Sequence, residues 1–196
     1  MSLLGVRAVN ALPNRVRIIA GRWRGRRIRF PELAAVRPTP DRVRETVFNW
    51  LQAEIAGAYC LDLFAGTGIL GLEALSRGAE SVICVEQERS AAAAIHQNAA
   101  ILGADEGLRA VRDDAIVFLT RSQPSAMDIV FLDPPYGSQI LGQVCQILDE
   151  RPWLASRALI YVERRVDDPA VTVPGNWECL RYKRAGQVDY RLYRTP

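Results

Sequence analysis

The chain has 196 residues, enough for one substantial core with an appendage but short of two full domains. Mean hydropathy is near zero, no window approaches the roughly 18 apolar residues of a membrane span, and the start MSLLGVRAVNALPNR lacks the h-region and cleavage site of a secretory signal. A cytoplasmic protein is expected. Cys60, Cys84, Cys145 and Cys179 are scattered, with no Cys-x-x-Cys pair and no cluster around the single histidine, His96. This excludes a zinc or redox motif and predicts buried reduced thiols, with His96 on a helix surface.

The net charge of +3 is unevenly spread. Residues 1–44 hold eleven arginines against Glu32 and Asp41, a balance of +9 that leaves −6 for the rest. Arginine forks onto phosphates and stacks on bases, so polyanion binding is expected at this end, with nucleic acid the leading candidate. Residues 15–30, RVRIIAGRWRGRRIRF, alternate charged and apolar positions around Gly21 and Gly25, the pattern of a β-hairpin with an arginine-rich face. Arg22, Arg24, Arg26 and Arg27 are candidate RNA contacts. Trp23, near the tip, is open to two readings: packing against the main domain, or stacking on a base.

Arg37-Pro-Thr-Pro-Asp41 then signals a helix start, with Thr39 as N-cap and Pro40 at the first helical position; Val43, Val47, Trp50, Leu51 and Ile55 carry the helix to Gly57. Residues 1–57 thus form a basic extension and 58–196 the main domain. From residue 58, strands 59–64, 81–86, 108–112, 127–132 and 158–163 alternate with helices 68–77, 90–102, 115–120 and 139–150. Buried strands separated by helices of this length predict a doubly wound, Rossmann-like α/β sheet, mostly parallel. Trp177–Arg184 and Gln187–Tyr193, joined by Ala185-Gly186, predict an antiparallel hairpin that brings the sheet to seven strands.

The first strand runs into Leu61-Asp-Leu-Phe-Ala-Gly-Thr-Gly-Ile-Leu-Gly71, in which Gly66, Gly68 and Gly71 match G-x-G-x-x-G, and the second ends on Glu86. A dinucleotide fits this pattern, but Asp62 ahead of the glycine turn would repel a pyrophosphate. S-adenosylmethionine has no phosphate and carries an ammonium and a sulfonium, so the acidic strand end suits it; a plain turn-capping role for Asp62 is the alternative. Asp113-Asp114 follows the third strand, where Asp114 is a candidate for the adenine amino group, for the helix N-cap, or for both.

The stretch Val130-Phe-Leu-Asp-Pro-Pro-Tyr-Gly137 ends a buried strand on a carboxylate held by two prolines and followed by an aromatic ring. By topology this strand adjoins the first, so Asp133 would face the glycine loop at the carboxyl edge of the sheet. An exocyclic amino group is a poor nucleophile because its lone pair is delocalised into the base. Acceptors at the Asp133 carboxylate and the Pro134 carbonyl would make that nitrogen more tetrahedral, with Pro135 stiffening the turn and Tyr136 stacking on the base. Asp133 or water would take the released proton. No metal is needed.

DLFAGTG with DPPY resembles class I, S-adenosylmethionine-dependent amino-methyltransferases. More specifically, RIIAGRWRGRRI, RPTPDRVRETVFNWL, DLFAGTGILGLEALSRGA, IVFLDPPYG, LIYVE and GQVDYRLY resemble, in the same order, the bacterial RsmD-like family, which methylates the N2 amino group of one guanine in 16S ribosomal RNA. The resemblance runs from about residue 15 to 194. It implies S-adenosylmethionine held by Asp62, Phe64, Ala65, Gly66, Thr67 and Gly68, by Glu86 and Gln87, and by Asp114 and Ala115, with Asp133 alongside. It also implies catalysis at Asp133, Pro134, Pro135 and Tyr136, RNA docking by the hairpin, and a small ribosomal subunit or its precursor as substrate. The Thr39–Glu45 segment would close over the cofactor, with Arg42 and Glu45 as polar candidates. A monomer is the default. DNA adenine and protein glutamine are rival substrates of the same chemistry; a non-catalytic RNA-binding protein and an NAD-dependent dehydrogenase are rivals of other classes.

Overall fold

In the computed structural model, residues 14–31 and 39–196 are described; most of the start MSLLGVRAVNALPNR and the Arg37-Pro38 half of the helix signal lie outside them. Strands β1 (Asn14–Arg17) and β2 (Arg27–Phe30) pair antiparallel, as the alternation predicts. Val16, Ile28 and Phe30 turn inward while Arg15, Arg17, Arg27 and Arg29 are exposed. Helix α1 (Asp41–Trp50) follows. It differs from expectation at both ends. Pro40 is the N-cap and no side chain caps the helix, because the Thr39 hydroxyl is turned elsewhere. The helix stops at Trp50 and gives way to turns, and the Gly57 amide leaves it to donate to the Gly78 carbonyl.

The remainder alternates as predicted: β3 (Tyr59–Asp62), α2 (Ile69–Ser76), β4 (Ser81–Val85), α3 (Arg89–Leu102), β5 (Leu108–Val111), α4 (Ala115–Arg121), β6 (Met127–Leu132), α5 (Leu141–Glu150), β7 (Leu154–Arg165), β8 (Glu178–Ala185) and β9 (Val188–Arg194). The seven-stranded sheet has the order β5-β4-β3-β6-β7-β9-β8; β5 to β7 are parallel, and β9 inserts antiparallel between β7 and β8. Successive strand residues serve opposite layers. Cys60, Phe131 and Tyr161 face a cluster with α1, α2, α3 and the hairpin, whereas Leu61, Leu132 and Ile160 face one with α4 and α5. Three cysteines are buried, but Cys179 is exposed, because it lies on the edge strand β8, which carries polar residues on much of its surface. His96 is exposed on α3, as expected.

The hairpin does not stand apart from this core. Val16, Ile18, Trp23, Ile28 and Phe30 belong to the same apolar cluster as α2 and α3. The loop between its strands docks on the C-terminus of α2: the Arg22 amide donates to the Ser76 carbonyl at 2.8 Å, and the Trp23 amide to the Ser76 hydroxyl at 3.0 Å. This gives the end of α2 partners for groups that a helix terminus leaves unpaired. Gly21 is required here, since it has φ +79° and a Cβ would lie 1.8 Å from the Ser76 carbonyl oxygen. The strand edge is tied to α3 by Asn98, which accepts from the Arg29 amide at 3.1 Å and donates to its carbonyl at 2.7 Å.

The join is centred on two fully buried charges, Arg44 of α1 and Glu73 of α2, 3.5 Å apart. Arg44 also donates to Asp41 at 2.6 Å, to the Arg17 carbonyl at 2.9 Å and to the Thr39 carbonyl at 3.1 Å. Glu73 accepts the amides of Ile19 and Ala20 at 2.7 and 3.0 Å and Arg77 at 2.8 Å. Burial lowers the proton affinity of Arg44, and the charges of Asp41 and Glu73 oppose that. Removing one partner of such a pair leaves the other buried and uncompensated. Glu73→Ala is therefore expected to lower the unfolding free energy by about 3–5 kcal/mol, seen as a lower urea midpoint, with Glu73→Gln intermediate.

Candidate active site

The parallel pairing of β3 with β6 sets the Asp62 and Asp133 strand ends side by side at the carboxyl edge of the sheet. Above them opens a cavity of about 790 Å³, within the roughly 300–1,000 Å³ typical of cofactor sites. Its floor is the loop after β3. Gly66 and Gly68 have φ of +52° and +76°, and Gly68 starts α2 in the left-handed conformation. A Cβ on Gly68 would meet Ile95 of α3 at 2.8 Å, and one on Gly71 would meet Cys84 of β4 at 2.6 Å. Two of the three glycines thus let the loop and helix lie against their neighbours.

Glu86, at the end of β4, accepts the Gly66 amide at 2.8 Å and the Glu88 amide at 2.7 Å. A carboxylate has about four acceptor sites, so Glu86 shapes the loop and retains capacity for a ribose. Its proton affinity is raised, mainly by burial, against the pull of those amides. Asp114 caps α4 through Oδ1, accepting from Ile116 and Val117 at 2.9 and 3.0 Å, and also lines the cavity; the cap and the ligand role coexist. Thr39, Phe64, Ala65, Thr67, Gln87 and Ala115 line the same space.

Four expected cofactor contacts do not line it. Arg42 and Glu45 are exposed on α1, because the helix turns Val43, Arg44, Val47 and Phe48 to the core and these two to the opposite side. Gly68 lies below the surface at the helix start. Asp62 is 1% exposed beneath the loop. The amides of Phe64 and Gly71 act on it favourably, but neither carboxylate oxygen closes a full hydrogen bond, and burial is the dominant cause raising its pKa to about 7. An unpartnered carboxylate under a cavity floor suits a cationic ligand. Together with the glycine cradle and the acceptors on Glu86, it matches the ammonium, sulfonium and ribose of S-adenosylmethionine.

The opposite wall is Asp133, Pro134, Pro135 and Tyr136. Tyr136 is 46% exposed, so its ring is available for stacking, and the Arg165 guanidinium lies 5.8 Å from its centroid. Asp133 accepts the Thr39 hydroxyl at 3.2 Å. Its proton affinity is well raised, first by burial and then by the charge of Glu163. Arg165 and Glu163 had no assigned role in the sequence reading. The sequence predicts the strand, 158–163, and LIYVE ends on Glu163, but neither gives that residue a role.

Arg22, Arg24, Arg26 and Arg27, the candidate RNA contacts, are exposed on the hairpin. Trp23 is not a free tip. It is 8% exposed, packs in the core cluster, and carries the Arg22 guanidinium 3.9 Å from its ring centroid, so the packing reading holds for it. Among the described residues no group of three or more His, Cys, Asp or Glu side chains is placed to hold a metal ion, and no helix is long and apolar enough to cross a membrane.

The family model described as Conserved hypothetical protein 95 matches residues 16–194. Ribosomal RNA small subunit methyltransferase D of Escherichia coli K12 is 47% identical, over 91% of this chain and 89% of its own length. The protein of the same description from Haemophilus influenzae is 44% identical, over 92% of this chain and 94% of its own. A solved structure described as a putative methyltransferase from Escherichia coli matches with a TM-score of 0.86 at 45% identity, covering 93% of this chain and 98% of that one. On these matches, which span nearly the whole chain, this chain belongs to the RsmD-like family of S-adenosylmethionine-dependent ribosomal RNA methyltransferases.

Proposed function

We propose that the protein transfers a methyl group from S-adenosylmethionine to the exocyclic N2 amino group of a guanine in 16S ribosomal RNA, acting in the cytoplasm on the small ribosomal subunit or its precursor. The observation that carries this reading is the position of Asp133, on a proline-stiffened turn directly across the cavity from the glycine loop. Bound on that loop, S-adenosylmethionine supplies an electrophilic methyl group. Asp133 and the Pro134 carbonyl would accept the two amino protons and turn the nitrogen lone pair toward the loop, while Tyr136 fixes the plane of the base. Orientation and preorganised acceptors supply the rate, with the base drawn out of its stack to reach them.

The basic extension, residues 1–57, serves docking. Arg22, Arg24 and Arg26 sit by the C-terminus of the eight-residue α2, and at about 1.5 Å per residue that is roughly 12 Å from the glycine loop at its start. This separation fits arginines that position the RNA backbone while the reacting base enters the cavity.

Labelled methyl transfer to 30S subunits, naked 16S RNA and DNA, followed by nucleoside analysis, tests the reading. N2-methylguanosine from the subunit or the RNA supports it, and label only in DNA adenine overturns it. Asp133→Ala is expected to lower the transfer rate by about 10²–10⁴-fold with S-adenosylmethionine binding retained in calorimetry. Replacing Arg24 and Arg26 together by Ala should weaken RNA binding and reduce the salt dependence of log K by about 0.7–0.9 for each phosphate no longer neutralised. Asp62, unpartnered until a cation arrives, should destabilise the empty protein at neutral pH. Its folded pKa of about 7 lies above the ordinary value of 3.8, so its contribution is intact in acid and is lost as pH rises between the two. Asp62→Asn is therefore expected to be more stable than the wild type at pH 8 by roughly 2–4 kcal/mol. The difference should vanish near pH 4, and the variant should bind the cofactor more weakly.

A further inference from the structure

Behind the Asp-Pro-Pro-Tyr wall lies a second carboxylate with no role in the chemistry above. Glu163 is 1% exposed. The parallel pairing of β6 with β7 matches Phe131 to Tyr161 and Leu132 to Val162, so the next step brings Asp133 level with Glu163. Residues two apart on a strand share a face, which puts Asp133 and Glu163 on the face that Phe131 and Tyr161 also occupy, where their rings lie 6.3 Å apart. The Tyr161 hydroxyl donates to Glu163 Oε2 at 2.5 Å, and the Tyr136 hydroxyl approaches Oε1 at 3.4 Å. Among the described residues neither Asp133 nor Glu163 forms an ion pair.

Apart from Arg165, which meets the ring of Tyr136, the groups around the pair are acidic or neutral: Tyr190 of β9 is opposite Glu163 in register, Thr39 donates to Asp133, and Asp62 acts on Asp133 from the end of β3. Two buried carboxylates side by side without a counter-cation are costly unless they share a proton. Both have raised proton affinity, mainly through burial, and the charge of Glu163 adds to that of Asp133. The two tyrosine hydroxyls favour the charge on Glu163, so Asp133 is the member of the pair that takes up a proton more readily.

The geometry points to Glu163 as the group that tunes Asp133 into the base for the amino proton, an inference that rests on the function proposed above. As the nitrogen lone pair forms its bond to the methyl carbon, the carbon–sulfur bond breaks and its electron pair stays on sulfur. The nitrogen then bears one proton too many. That proton passes to the ionised Asp133 carboxylate, leaving a neutral methylated amine and a protonated carboxyl group that returns the proton to water. A lone exposed aspartate is a weak base for this step; beside the Glu163 charge, Asp133 holds the proton more tightly, as general base catalysis near neutral pH requires. Glu163 is not among the cavity-lining residues and acts through Asp133.

The test is the pH profile of single-turnover methyl transfer to 30S subunits, with carboxyl ¹³C NMR titration of the same proteins free of substrate. Glu163→Gln should move the acid limb of the wild-type profile about one to two pH units lower and reduce the plateau rate by about tenfold, with S-adenosylhomocysteine affinity unchanged. Tyr161→Phe, which weakens the charge on Glu163, should shift the limb the same way by less, and it carries the test if Glu163→Gln fails to fold. An acid limb that stays in place in both variants, or a wild-type profile flat from about pH 5 to 9, overturns the inference. The NMR arm is independent of substrate. If the wild type methylates no subunit but Asp133 titrates lower in Glu163→Gln, the substrate reading fails and the coupled pair stands; if Asp133 titrates alike in both proteins, the coupling itself is wrong.

Discussion

The buried pair of Arg44 and Glu73 is the constraint on which the arrangement of the rest depends. Neither charge is exposed, and between them they take up the Arg17 and Thr39 carbonyls and the Ile19 and Ala20 amides. These backbone groups belong to the exit of β1, the hairpin loop and the entrance of α1, segments that lie far from α2 in sequence. A carboxylate that accepts two amides and an arginine, facing a guanidinium that donates to two carbonyls, defines one position for each segment. Because Thr39 is held by its carbonyl to Arg44 and by its hydroxyl to Asp133, the join reaches the cavity wall.

The cavity itself is built against electrostatic convenience. Glu86, Glu88, Asp113, Asp114 and Asp133 line it, with Arg165 the one cation among the described lining residues. Asp62 lies just beneath and Glu163 just behind. Burial raises the proton affinity of Asp62, Glu86, Asp133 and Glu163 alike. A protein selected for stability alone would not collect carboxylates in this way. The concentration of negative charge suits a ligand with two positive centres and no phosphate, and it separates this site from the dinucleotide sites that share its glycine pattern. The opposite sign is displayed by the hairpin, whose arginines are exposed on another part of the surface. The two halves of the proposed reaction, a cationic donor and a polyanionic acceptor, are thus met by surfaces of opposite charge.

Sheet order links these surfaces to chemistry. Placing β6 next to β3 brings the turn after one strand against the loop after the other, at the edge where a doubly wound sheet leaves a crevice. Placing β7 next to β6 supplies Glu163 behind Asp133, and β9 closes that side with Tyr190. Each neighbour in the sheet therefore contributes one layer of the site, from the glycine floor to the reacting carboxylate and the carboxylate that acts on it.

What the sequence determined by itself was local. Hydrophobic runs, Gly66 and Gly68, the two prolines after Asp133 and the alternation in the hairpin each act within a few residues, so the strands, the helices, the loop and the stiff turn were all legible. The family resemblance added the chemistry those pieces serve. Where a residue's role depends on a partner distant in the chain, only the tertiary structure decided it. Thr39 has the composition of a helix cap but bonds Asp133, 94 residues away; Trp23 sits between arginines yet packs against α2 and the core. Arg42 and Glu45 look as available as Arg44 in sequence, and Arg44 is the one buried. Glu163 gains its significance only because strand pairing sets it level with Asp133. Propensity and pattern act over a turn or a strand; burial, charge pairing and proton affinity depend on everything within a few ångströms, and which groups those are is set by the fold.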